Sequence, residues 1–95
     1  MAAYFIVDLE VTDAAGFEEY RKLVPATIET YGGRYLVRGG QVESLEGEWQ
    51  PKRVVVLEFP SLEQAKRWYD SEEYRAPKAL RFRTARTKLL LVEGA

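Results

Sequence analysis

Arg38, Asp8 and Glu58 are the residues from which acid–base chemistry can be built in this chain. A guanidinium anchors a substrate carboxylate or stabilises an enolate, and a carboxylate whose pKa is raised by partial burial abstracts a proton beside a carbonyl. Elimination narrows the choice. The 95 residues include no Cys and no His, which removes thiolate nucleophiles, imidazole bases and the usual zinc and haem ligands. Proton transfer must then run on carboxylates, Tyr, Lys or Arg, or on a cofactor brought from outside. A structural reading competes with the catalytic one: the same charges can pair within or across a subunit interface and fix its register.

Rings and hydroxyls form a second group. Tyr31, Trp49, Tyr69, Ser71 and Tyr74 are candidates to line a cleft for a flat organic ligand, because aromatic faces bind such molecules and hydroxyls orient them. Core packing is the competing reading for each. Gly39-Gly40 reads as a strand bulge or bend that re-aims Arg38; it lacks the lysine and spacing of a phosphate loop. Asp8, Glu10, Asp13 and the Glu18-Glu19 pair have no convergent ligand spacing, so no metal is expected, and no cofactor either. Arg75, Lys78, Arg81, Arg83, Arg86 and Lys88 make the one basic run. They spread around a helix with few interleaved aromatics, which reads as a solvated face and not as a nucleic-acid interface.

The elements that must position these residues follow from periodicity. Residues 3–11, AYFIVDLEV, alternate as a strand, with Phe5, Val7, Leu9 and Val11 on one face and Tyr4, Ile6, Asp8 and Glu10 on the other. Thr12-Asp13 offers an N-cap to a helix carrying Phe17, Tyr20, Val24, Ile28 and Tyr31, which Pro25 is expected to kink or split and Gly32-Gly33 to end. Arg34 to Arg38 is a second strand, continued after the glycines by Gln41 to Glu46, and Arg53 to Phe59 is a third. Ser61 caps a second helix with Gln64 at the capping-box position. Ser71 can cap a further turn, helix is expected through Ala76 to Arg83, and Thr87 to Glu93 is the last strand.

This βαββαβ order predicts an α+β, ferredoxin-like domain over residues 1–95: a four-stranded antiparallel sheet with the helices on one face. Leu36, Ile6, Val54 and Val56 would then lie on the uncovered face, together with the charges Asp8, Glu10, Arg34, Arg38 and Glu58. A chain this short has no spare element to bury that face, so a second copy is expected there, two sheets closing as a symmetric homodimer. From size alone, a folded monomer of 10.9 kDa should expose about 5,600 Å².

Three segments in order, YGGRYLVRGG (Tyr31 to Gly40), LEGEWQPKRVVVLEFPS (Leu45 to Ser61) and WYDSEEY (Trp68 to Tyr74), resemble the domain-of-unknown-function 1330 family of the dimeric α/β-barrel superfamily. The resemblance implies a ferredoxin-like protomer, a homodimer and no securely assigned activity. Superfamily relatives include cofactor-independent quinol-type monooxygenases, muconolactone isomerase-like enzymes, haem-degrading enzymes and stress-response proteins. The haem branch typically uses a His ligand, which this chain lacks.

Two functions remain open. One is an enzyme of monooxygenase or isomerase type, without tightly bound cofactor, acting on a small aromatic or carboxylated metabolite. The other is a non-catalytic ligand-binding or stress-associated dimer. The net charge of −1 offers no general pull toward nucleic acid or anionic membrane, and the N-terminus lacks a basic leader, so a cytoplasmic protein is expected.

Overall fold

The computed structural model describes every residue from Met1 to Ala95. Strand β1 (Ala3–Val11) leads to α1 (Ala14–Thr30), then β2 (Arg34–Arg38), β3 (Arg53–Phe59), α2 (Leu62–Tyr69), α3 (Glu72–Thr84) and β4 (Ala85–Glu93). The sheet order is β2-β3-β1-β4 with every pairing antiparallel. This is the ferredoxin-like arrangement expected from the element order.

Alternation sorts the two sheet faces. Phe5, Val7 and Leu9 of β1 and Leu57 and Phe59 of β3 are buried under the helices. Beneath α2 and α3, Trp68 stacks on Tyr74 with ring centroids 4.1 Å apart and meets Phe5 and Phe59 at 5.3 Å. The Trp68 indole N–H donates to Thr27 Oγ1 at 3.0 Å, and Thr27 donates to the Val24 carbonyl at 2.7 Å. The Trp68 and Thr27 polar atoms are therefore paired, as burial demands, whereas Thr87 Oγ1 on the same side of the sheet is buried without a partner.

The helix boundaries obey local chemistry. Asp13 accepts from the Gly16 N–H at 3.1 Å, Ser61 from Gln64 at 3.0 Å and Ser71 from Tyr74 at 3.1 Å. Gln64 does not complete a capping box; its side chain donates instead to the Tyr31 carbonyl at 3.0 Å, tying the start of α2 to the end of α1. Gly32 takes φ +77° past the end of α1, a left-handed conformation that a side chain disfavours. Pro25 does not split α1, which runs unbroken for 17 residues. The ring removes one N–H, and tertiary packing of Tyr20, Val24 and Ile28 on either side holds the helix together.

Two expectations about β2 need correction. Gln41 to Glu46 do not continue the strand; no regular element intervenes between Arg38 and Arg53. Of the two readings of Gly39-Gly40, the bend holds and the bulge does not. Tyr35 pairs with Leu57 and Val37 with Val56, so the register slips at Leu36, while Gly39 makes a bend at φ +74° with its N–H bonded to the Val54 carbonyl.

The face opposite the helices has no cover within the chain. Leu36, Val37, Leu90 and Val92 are exposed, Leu90 by 55%, and Ile6, Val54 and Val56 lie half-buried among them. The total accessible surface is 6299 Å², about 700 Å² above the expectation from mass. No helix is long and apolar enough to cross a membrane.

Candidate functional site

The slip at Leu36 decides what faces what. Without it, Arg34 and Arg38 would share a sheet face; with it, Arg34 stands opposite Glu58 on the open side and Arg38 opposite Val55 on the helix side. Arg38 therefore enters the cleft between the sheet and α1 and α3. Its guanidinium lies 4.5 Å from the centroid of Tyr35, and its Nη2 donates to the Arg21 carbonyl at 3.4 Å.

That cleft, of about 50 Å³, has an apolar wall of Val7, Leu9, Val24, Ile28, Val55 and Leu57. Its polar groups come from Tyr20, Tyr35, Tyr74 and four arginines: Arg21, Arg38, Arg53 and Arg81. No carboxylate lines it. Arg21 is paired on its outer side with Glu18 at 3.1 Å, but no ion pair reaches Arg38, Arg53 or Arg81. Arg53 packs over the Phe17 ring at 5.6 Å.

Arg81 is the unusual member, because it is only 3% exposed. Its Nε donates to the Tyr74 hydroxyl at 3.2 Å, which shares a 2.8 Å hydrogen bond with the Tyr20 hydroxyl. Burial disfavours its charge, yet the neighbouring Tyr74 and Tyr20 oxygens outweigh that effect and its pKa rises, so the guanidinium stays a cation. Burial and the adjacent Tyr74 push the Tyr20 phenol well up, and burial raises Tyr35. Both phenols are neutral donors at ordinary pH.

On the other side of the sheet, Glu58 is bonded by Arg34 at 2.7 Å. Hydrogen bonds from Arg34 and from Tyr4 lower its pKa; the rise expected of a general base does not occur. Asp8 accepts from the Trp49 indole N–H at 2.9 Å. Asp8 and Glu58 thus share the open face with each other and not with Arg38, so the three do not converge on one substrate.

The aromatic candidates separate in the same way. Tyr74 lines the cleft; Trp49 lies with Asp8 on the open face and stays 59% exposed. The Tyr31 hydroxyl donates to Glu73 at 2.8 Å on the outer surface. Tyr69 stacks near Phe5 with Lys78 4.1 Å over its ring. Ser71 is occupied in capping, accepting from Tyr74 while donating to the Trp68 carbonyl at 2.8 Å.

Sequence reasoning missed Tyr20, Arg53 and above all Arg81, which was assigned to a solvated basic face. The signal was present: Tyr74, Pro77, Arg81 and Thr84 recur at helical spacing and form the buried stripe of α3. No group of side chains is arranged to hold a metal ion.

Solved structures share this architecture at low sequence identity. A protein of unknown function from Rhodopseudomonas palustris superposes with a TM-score of 0.79 at 16% identity, over 99% of this chain and 82% of that one. A dimeric ferredoxin-like protein of unknown function from Jannaschia sp. CCS1 gives 0.68 at 12%, over 100% and 99%. SnoaB, a cofactor-independent oxygenase from Streptomyces nogalater, gives 0.67 at 12%, over 99% and 93%. These likenesses establish the fold. No curated protein matches the sequence. Residues 2–95 match the family described as Domain of unknown function (DUF1330), and with the match running the length of the ferredoxin-like unit just described, the chain belongs to that family.

Proposed function

We propose that this protein is a homodimer that binds a small aromatic or carboxylated metabolite in the cleft between sheet and helices. The observation that carries the reading is Arg81: a buried cation, bonded to a tyrosine hydroxyl, in a cleft without a carboxylate. An unpaired buried charge is costly, and an anionic ligand supplies the missing counter-charge. The Phe17 and Trp68 rings in its lining suit a planar body.

For chemistry, the cleft offers guanidinium groups to stabilise a phenolate or enolate, with the Tyr20 and Tyr35 phenols as neutral hydrogen-bond donors. It offers no carboxylate base. This favours either an oxygenase-like reaction, in which the substrate's own anion is the reactive species, or binding without turnover. The fold likeness to SnoaB supports the first; the absence of a cleft carboxylate supports the second.

The dimer is supported by the uncovered apolar face, by the dimeric Jannaschia structure, and by the surplus of accessible surface.

The test is calorimetric titration of the dialysed protein with benzoate and with benzamide, alongside native mass spectrometry. Benzoate binding with benzamide inert, on a particle of twice the chain mass, is the expected result. Equal affinity for both would remove the role given to Arg81, and a monomeric mass would remove the interface.

A further inference from the structure

The cations of the cleft sit at two depths. Arg81, with the Tyr20–Tyr74 hydroxyl pair, is almost wholly buried and forms the floor. Arg38 is exposed and Arg53 half-buried, and both belong to the strands at the β2–β3 edge. Apolar side chains of β1, β3 and α1, with the Trp68 ring, line the space between them. Neither of the outer cations has a carboxylate partner. Each rests on an aromatic face, Arg38 on Tyr35 and Arg53 on Phe17.

Given the anion-binding reading above, on which this rests, we propose that the cleft recognises a planar dicarboxylate. One carboxylate is received at the floor by Arg81 and the tyrosine hydroxyls. The second is received at the mouth by Arg38 and Arg53, and the flat carbon body lies along the apolar wall. A monocarboxylate would satisfy the floor and leave two cations at the mouth without counter-charge. A neutral ring would satisfy neither end.

The present cleft is narrow, about 50 Å³, against several hundred for most small-molecule sites. Entry of a ring requires the mouth to widen. Arg38 is placed to allow this, because its one hydrogen bond, to the Arg21 carbonyl, is long at 3.4 Å and its other contact is a ring face. Exchanging those contacts for a bidentate grip on a carboxylate couples ligand entry to closure behind it.

Terephthalate, benzoate and benzamide distinguish the possibilities by calorimetric titration of the wild-type protein, Arg38→Met, Arg53→Met and Arg81→Met. Terephthalate should bind at least tenfold more tightly than benzoate. Arg38→Met and Arg53→Met should each erode that preference toward unity while leaving benzoate affinity within about twofold, and Arg81→Met should weaken both anions. Terephthalate binding no better than benzoate, or unaffected by Arg38→Met and Arg53→Met, would overturn the two-ended site while leaving the cleft as a monoanion site. Failure of both anions to bind would overturn the anion reading itself. The two mouth substitutions replace side chains outside the buried core, so the comparison stands even should Arg81→Met not fold.

Discussion

Arg38 donates a hydrogen bond to the carbonyl of Arg21, the one that Pro25, having no N–H, cannot engage from within α1. A helix defect and a strand bulge therefore meet. The slip at Leu36 turns Arg38 inward, and the proline leaves an acceptor for it to reach. Pro25→Ala should restore the helical bond and raise stability by about 1 kcal/mol, the helix gain being partly offset by a freer unfolded chain. Thermal denaturation should show a rise of several degrees; a lowered Tm would mean that the proline is packed to advantage.

Arg81 predicts opposed effects on stability and binding. A buried cation with no carboxylate partner carries a desolvation cost that an apolar side chain of similar length does not. Arg81→Met should therefore retain or increase the denaturation midpoint while binding of anions falls. Tyr74→Phe should do the reverse to the fold, because it strands both the Tyr20 hydroxyl and Arg81 Nε at a cost of about 1–3 kcal/mol. Urea titration of the two variants reads the contrast directly.

Alkaline stability should depend on Tyr20. Its folded pKa lies above the unfolded value of 10.0 because burial and Tyr74 oppose the phenolate. Its contribution is complete below pH 10 and is lost as pH rises beyond it. Tyr20→Phe should be less stable at neutral pH yet lose less stability between neutral pH and pH 11. An unchanged alkaline slope would show that another group controls the transition.

At the acid end, the Arg34–Glu58 pair acts with the opposite sign. The folded pKa of Glu58 lies below its usual 4.5, held there by hydrogen bonds from Arg34 and Tyr4. Its contribution is present above that value and disappears as pH falls through the lower folded one. Glu58→Gln should flatten the loss of stability below about pH 5, seen as a smaller fall in midpoint between pH 5 and pH 3 than in the wild type.

The open face makes a prediction that does not involve the cleft. Val56 is flanked on that face by Ile6 and Val37. Val56→Lys places a charge at its centre and should convert a dimeric mass to a monomeric one by native mass spectrometry. Persistence of the wild-type assembly would mean that copies do not meet through this face.

Strand and helix positions were legible because residues 3–11 alternate cleanly and each helix begins at Asp13, Ser61 or Ser71. The division of charges between the faces was not. One extra residue inverts everything after it, and nothing in RYLVR marks Leu36 as that residue; Gly39-Gly40 drew attention to the wrong position. Arg81 was obscured for another reason. In a run of six basic residues its buried register shows only when Tyr74, Pro77 and Thr84 are aligned with it around the helix. Asp8 and Glu58 were correctly placed on the uncovered face, and the structure shows them engaged by Trp49 and Arg34.

The central position of β1 bears on how the chain reaches this state. β1 pairs with β3 and with the last strand, so that Ala3 lies opposite Glu93. The β1–β4 pair thus joins the two ends of the sequence, a central strand from the first and an edge strand from the last, and closing it fixes almost the whole chain. Folding slower than that of a helical bundle of this length is the consequence. Until β4 arrives, the Ile6 and Val7 stretch of β1 is an open edge, and intermediates lacking that strand are the species most exposed to aberrant pairing with other chains.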